Sequence, residues 1–189
     1  MMMAHNPTVK NLVFIGFRGT GKSTLSAECA RILGLERIST DERITERIGC
    51  SIAEFVAAHG WAEFRRIEHE EIQALQGITS AIIDCGGGVV ENPENMRLLG
   101  GLGKILWIHA ALEDVVSRLL QAEQGNEQKN EHRPLLSQGT MREDIEANYT
   151  RRLPMYECYA EVCVNTSLLG VKASVEEVCE LFKQKNFSR

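Results

Sequence analysis

The chain predicts an α/β domain of three layers, with helices on both faces of a parallel sheet. Three observations carry that expectation. Short apolar runs alternate with longer amphipathic ones, the order that builds strand–helix units. Residues 12–15 and 81–83 are apolar at consecutive positions, as strands covered on both faces are. The length of 189 residues, with 43% apolar and 25% charged side chains, suits one domain spanning residues 1–189 with a proper core.

Taken in order, strands are expected at 11–15, 37–39, 80–85, 104–108 and 162–165. Helices are expected at 22–33, 42–48, 51–59, 62–75, 93–99, 112–121, 142–156 and 174–183. Ser51-Ile52-Ala53-Glu54 reads as a capping box that starts a helix, and so does Ser174-Val175-Glu176-Glu177. Residues 121–132 are polar apart from one alanine and read as an excursion from the core. No repeat and no linker composition is evident.

Composition excludes several classes. The net charge of −5 argues against a nucleic-acid coat, so any anion must be held by a local site. No apolar run approaches membrane-spanning length, and the first seven residues show no secretory pattern, so a cytoplasmic protein without a membrane partner is expected. Six cysteines at irregular spacing, with no Cys-x-x-Cys, suggest free thiols in a reducing compartment rather than zinc ligands or a disulfide framework.

The strongest motif is Gly16-Phe17-Arg18-Gly19-Thr20-Gly21-Lys22-Ser23, followed by Thr24. It is a complete G-x-x-x-x-G-K-S between a strand and a helix, the context in which that pattern cradles phosphates. Gly16, Gly19 and Gly21 let the backbone curl so that N–H groups of residues such as Thr20 face an anion, and the following helix adds its positive end. Lys22 supplies a charge for the outer phosphates, and the Ser23 hydroxyl suits Mg²⁺. ATP and Mg²⁺ are therefore expected. The loop alone does not name an acceptor, because GTPases, motors and small-molecule kinases share it; the short chain favours a metabolite kinase.

Four further groups point to the acceptor. Asp41 follows the second strand, where it suits either a ligand contact or the cap of the next helix. Arg65 and Glu68 share a helix face. Gly86-Gly87-Gly88 follows the third strand, where a backbone can approach a ligand closely. Arg133-Pro134-Leu135-Leu136 and Arg152 with Tyr156 come after the polar stretch. Trp61 and Trp107 read as packing residues.

With these phrases in order, from residue 11 to about 181, the chain resembles the shikimate kinase family. The resemblance implies a P-loop kinase fold with a five-stranded parallel sheet, a substrate-binding helical segment (about 40–76) and a lid (about 120–138). It implies ATP-dependent phosphorylation of the 3-hydroxyl of shikimate, in aromatic amino-acid biosynthesis. By the same resemblance, Asp41 contacts the ring hydroxyls and accepts the reacting proton. Arg65, oriented by Glu68, and Arg152 clamp the substrate carboxylate. Gly86, Gly87 and Gly88 approach the substrate, the lid residue Arg133 reaches the transferring phosphoryl group, and Arg118 stacks near adenine. Arg118 alone also reads as an ordinary exposed helix residue. A small anionic acceptor independently calls for arginine forks. Shikimate is the expected small-molecule partner, and a monomer the expected state.

The pattern departs from the family in three places. The family usually carries aspartate where this chain has Ser39, whereas the third strand here ends in Asp84. Asp84 either takes over an outer-shell Mg²⁺ role from the missing aspartate or accepts hydrogen bonds from neighbouring amides or Ser23. The fourteen residues between Arg118 and Arg133 exceed the usual lid, at a closure cost of about 0.6 kcal/mol per doubling of length. Asn165 stands where aspartate is usual, suited to capping or to contacting the base. A kinase for another sugar acid and a nucleotide-binding regulator without turnover are the competing functions.

Overall fold

The computed structural model describes residues 11–126 and 140–183. Arg133 and most of the segment read as a lid lie outside the described residues. Five strands, β1 (Asn11–Ile15), β2 (Glu36–Ser39), β3 (Ala81–Asp84), β4 (Gly103–His109) and β5 (Val162–Asn165), form one parallel sheet in the order β2-β3-β1-β4-β5. The helices are α1 (Lys22–Leu33), α2 (Thr40–Ile48), α3 (Ile52–Ala74), α4 (Pro93–Leu102), α5 (Leu112–Asn126), α6 (Met141–Tyr159) and α7 (Thr166–Lys183), with a 3-10 turn at Val89–Glu91.

The consecutive apolar residues of the strands divide by parity. Val13, Ile15, Ile83, Ile105 and Trp107 enter one core, together with Met96 and Leu99 of α4 and Ile145, Tyr149 and Tyr156 of α6. Leu12, Phe14, Ile82, Leu106 and Ile108 enter the other, against Leu25 and Cys29 of α1 and Val175, Val178 and Cys179 of α7. Successive strand side chains point to opposite faces, so a strand covered twice must be apolar throughout. Each such fully buried side chain contributes about 1.5–3 kcal/mol. The six cysteines are all free, and burial beside Cys179 pushes the Cys29 thiol up to about 12. No described helix is long and apolar enough to cross a membrane.

Local signals explain most boundaries. Ser51 forms the expected capping box with Glu54. The helices expected at 51–59 and 62–75 are two segments of α3 that meet at Gly60, whose φ of 82° breaks the helical path. The second expected box is not formed. The Ser174 hydroxyl donates to the Gly170 carbonyl 2.7 Å away; α7 begins at Thr166, where Asn165 accepts from the Ser167 and Leu168 amides, and consists of two segments that meet at Gly170, whose φ of 70° breaks the helical path. Nor does Asp41 cap α2; that role falls to Ser39, which accepts from the Glu42 amide.

The topology positions the site. Because β3 and β4 flank β1 on opposite sides, the chain leaves the centre of the sheet in two directions. A crevice opens beyond the carboxyl ends of the strands, where ligands of open parallel sheets bind. The turns after β1, β2 and β3 all end there.

Candidate active site

The turn after β1 and the start of α1 form a phosphate pocket lined by Arg18, Gly19, Gly21, Lys22, Ser23 and Thr24, with Asp41 and Gly87 on its rim. Gly19 and Gly21 adopt φ of 79° and 87°, the left-handed region where a side chain is strained. The Thr20 side chain is buried; its hydroxyl donates to the Phe17 carbonyl, and Thr166 donates to the Thr20 carbonyl, both at 2.8 Å. Thr20 thus ties the loop to its own turn and to α7. Exposed Arg118 donates to the Gly19 carbonyl at 3.0 Å, beside the cradle.

Lys22 reaches back to Asp84 at 2.5 Å. Asp84 is 2% exposed and has both oxygens engaged, Oδ1 by Lys22 and Oδ2 by Ser26 (2.9 Å) and Arg37 (2.7 Å). Burial opposes ionisation here, but Lys22, Arg37 and Ser26 outweigh it and hold the carboxyl below its ordinary range. The partners differ from the amides and Ser23 that local reasoning suggested. Both Asp84 oxygens are thus engaged, Oδ1 by Lys22 alone. The Ser23 hydroxyl, by contrast, is exposed at the mouth of the phosphate pocket.

A second cup adjoins the first. It is lined by Asp41, Trp61, Arg65, Glu68, the Gly86–Gly88 turn, Asn148 and Arg152. The two hollows share Phe17, Arg18, Asp41 and Gly87, so the cup and the phosphate pocket adjoin along those residues. Arg65 donates through one nitrogen to both oxygens of buried Glu68, at 2.9 and 2.8 Å. Burial raises the Glu68 carboxyl above its ordinary value, with Arg65 opposing. The glycines admit these side chains. A Cβ on Gly86 would stand 2.5 Å from Asp41 Oδ1, and one on Gly88 would stand 2.7 Å from the Arg65 guanidinium carbon. Tyr156 of α6 donates its hydroxyl to the Gly87 carbonyl, pinning the turn.

In and beside the cup stand residues that the sequence reading passed over. Arg18 spans both hollows and pairs with buried Asp144 at 3.3 Å. Trp61, expected only to pack, lines the cup and presents its ring 5.6 Å from the Arg65 guanidinium. Glu91 pairs with Arg65, Arg151 and Arg152. Of these, Arg18 alone carried a signal, its place inside the phosphate motif.

Comparison with known proteins decides the family. The family model described as Shikimate kinase matches residues 18–183. A shikimate kinase of Syntrophus aciditrophicus is 33% identical over 183 residues, covering 95% of this chain and 94% of that one. One from Pelotomaculum thermopropionicum is 34% identical over 179 residues, covering 95% and 99%. This chain belongs to the shikimate kinase family. Among solved structures, the shikimate kinase of Acinetobacter baumannii in complex with shikimate superposes with a TM-score of 0.81 at 22% identity, over 93% of each chain. That of Aquifex aeolicus gives 0.74 at 25% identity, over 93% of this chain and 97% of that one. The five-stranded P-loop kinase fold is therefore shared with the shikimate kinases.

Within that family, the departure at Ser39 acquires a geometric reading. Ser39 and Asp84 are register partners on the adjacent strands β2 and β3. The carboxylate stands at the same level of the sheet, one strand over, and Ser39 serves as the cap of α2.

Proposed function

We propose that this protein transfers the γ-phosphoryl group of ATP to the 3-hydroxyl of shikimate, giving shikimate 3-phosphate and ADP in chorismate and aromatic amino-acid biosynthesis. The observation that carries this reading is the shared wall between the phosphate pocket and the arginine-lined cup, with Asp41 on both. Arg65 and Arg152 clamp the carboxylate of the acceptor, Glu68 fixes Arg65, and the Gly86, Gly87 and Gly88 backbone closes on the ring. Asp41 orients the reacting hydroxyl and accepts its proton. Segment 40–76 is then the acceptor-binding part and 120–138 the lid, within one domain of 189 residues.

Gly16, Gly19, Thr20, Gly21, Lys22, Ser23 and Thr24 hold the phosphates, Arg118 borders the adenine end, and Arg133 of the lid meets the transferring group. Phosphoryl transfer demands positioning and charge neutralisation more than covalent chemistry, and cations aimed at the developing charge supply both. The exposed Ser23 hydroxyl fits Mg²⁺, with Asp84, held by Lys22, Arg37 and Ser26, acting outside the ion's direct ligands. Mg²⁺, when bound, neutralises phosphate charge. The same reading places the protein in the cytoplasm.

The test is ADP release measured with shikimate, with gluconate and with no acceptor. Turnover well above background with shikimate alone supports the reading. Preference for gluconate, or nucleotide binding without turnover, overturns it. For Asp84, an Mg²⁺ dependence of turnover unchanged in Asp84→Asn would reject the outer-shell role.

A further inference from the structure

Glu91 lies on the 3-10 turn three residues after Gly88, its amide bonded to the Gly88 carbonyl at 3.1 Å. Its two oxygens are divided between distant segments. Oε1 accepts from Arg152 Nε at 2.8 Å and from Arg151 at 2.6 Å, and Oε2 accepts from Arg65 at 3.1 Å. Arg65 is thereby held from two sides, by Glu68 along α3 and by Glu91 across the cup. Arg152 meets Glu91 through Nε alone, which leaves its two terminal nitrogens as a parallel pair for another carboxylate.

We infer that Glu91 is a positioning residue for the acceptor carboxylate, a fixed bridge that holds the Arg65 and Arg152 guanidiniums at one separation before the acceptor arrives. The inference rests on the acceptor assigned above. Three guanidiniums gathered from α3 and α6 repel one another, and a single carboxylate among them offsets that repulsion. The placement of Glu91 decides between bridge and competitor. Glu91 lines an outer cleft with Trp61, Ala62 and Arg151, and is absent from the lining of the cup itself. Arg65 and Arg152 line both hollows, so Glu91 meets them on the cleft side while Asp41 and the glycine turn lie on the cup side, where the acceptor is placed. Burial opposes ionisation of Glu91, but Arg152, Arg65 and Arg151 hold its carboxyl below the ordinary range, so the bridge is charged at neutral pH. A preassembled clamp spares the acceptor the ordering of two long side chains.

The experiment compares Glu91→Ala and Glu91→Gln with the native enzyme, using shikimate and its methyl ester, in which the carboxylate is masked. Loss of the bridge raises the KM for shikimate about tenfold or more while kcat and the KM for ATP stay within about twofold. The methyl ester, which cannot use the clamp, keeps its KM within about twofold in the same variants. Glu91→Gln preserves size and one acceptor oxygen, gives a smaller rise of the same kind, and carries the test if the alanine variant does not fold. Equal losses for both acceptors assign Glu91 to the fold alone and overturn the inference. Tighter shikimate binding in either variant makes Glu91 a competitor and overturns it too, as does no change. Failure of the native enzyme to turn over shikimate removes the acceptor assignment itself, a separate result visible before any variant is made.

Discussion

Asp84→Asn probes a buried charge held by three partners. Asp84 is 2% exposed and accepts from Lys22, Arg37 and Ser26 at 2.5, 2.7 and 2.9 Å. Removing one partner of a buried ion pair costs about 3–5 kcal/mol, since the other charge is left unpaired in a poor solvent. Two features reduce that figure here. The Lys22 and Arg37 side chains are 11% and 21% exposed, and Arg37 retains Glu42 at 2.8 Å. The asparagine oxygen also accepts one of the three bonds. A net loss of about 2–3 kcal/mol follows, which for a chain of this size lowers Tm by about 4–12 °C. Thermal melts at pH 7 with and without saturating ADP check it. Nucleotide phosphates give Lys22 a new counter-charge, so ADP narrows the gap between variant and native protein. The pH dependence has a definite sign. A carboxyl whose folded pKa is depressed contributes stability above the unfolded value of about 3.9, and loses it as pH falls through the folded value. The gap between native and Asp84→Asn is therefore full at pH 7 and narrows as pH falls below about 3.9. A variant that melts within about 1 °C of native at pH 7, or a gap indifferent to both ADP and acid, refutes the ion-pair reasoning.

Two other substitutions test neighbouring parts of the site. In Ser39→Asp a second carboxylate is placed opposite Asp84 at its register partner; aspartate caps helices as well as serine does, so the expected loss of about 1–3 kcal/mol in urea unfolding reports like-charge repulsion. Ser39→Asp combined with Asp84→Ser recovers most of that loss, and a single variant as stable as native rejects the one-carboxylate reading. In Gly88→Ala the backbone is unstrained at φ −96°, yet the new Cβ displaces the Arg65 guanidinium. Losing one charge-assisted bond of about 1.5–3 kcal/mol raises the KM for shikimate about 10- to 150-fold, with the KM for ATP unchanged. Steady-state kinetics in both substrates read this directly, and an unchanged shikimate KM removes Arg65 from the clamp.

Much of this site was legible in the linear chain because its signals are local. A phosphate loop is one turn between one strand and one helix, and Gly16 to Ser23 carry the whole of it. Ser51 and Glu54 cap α3 across three residues, and the apolar run 12–15 is what a strand covered on both faces shows. Asp41, Arg65 and Arg152 were legible by family pattern, and the fold brings them to one cup. Ser174 shows the limit even of a local rule. Its box is correct in spelling, but the helical path of α7 breaks at Gly170, four residues earlier, and the hydroxyl donates back to the Gly170 carbonyl instead of capping.

The chain order by itself determined the strand–helix alternation and the nucleotide cradle, since each depends on residues a few positions apart, while the distant clamp arginines Arg65 and Arg152 were read from family pattern. Only the tertiary structure decided which charges meet. Arg37 finds Asp84 across 47 residues, and Glu91 finds Arg65 and Arg152 across 26 and 61. Those encounters follow from the register of β2 on β3 and from α6 crossing the glycine turn, and neither leaves a periodic trace in the sequence. An ion pair is fixed by where two backbones pass, while a loop or a cap is fixed by the residues that make it.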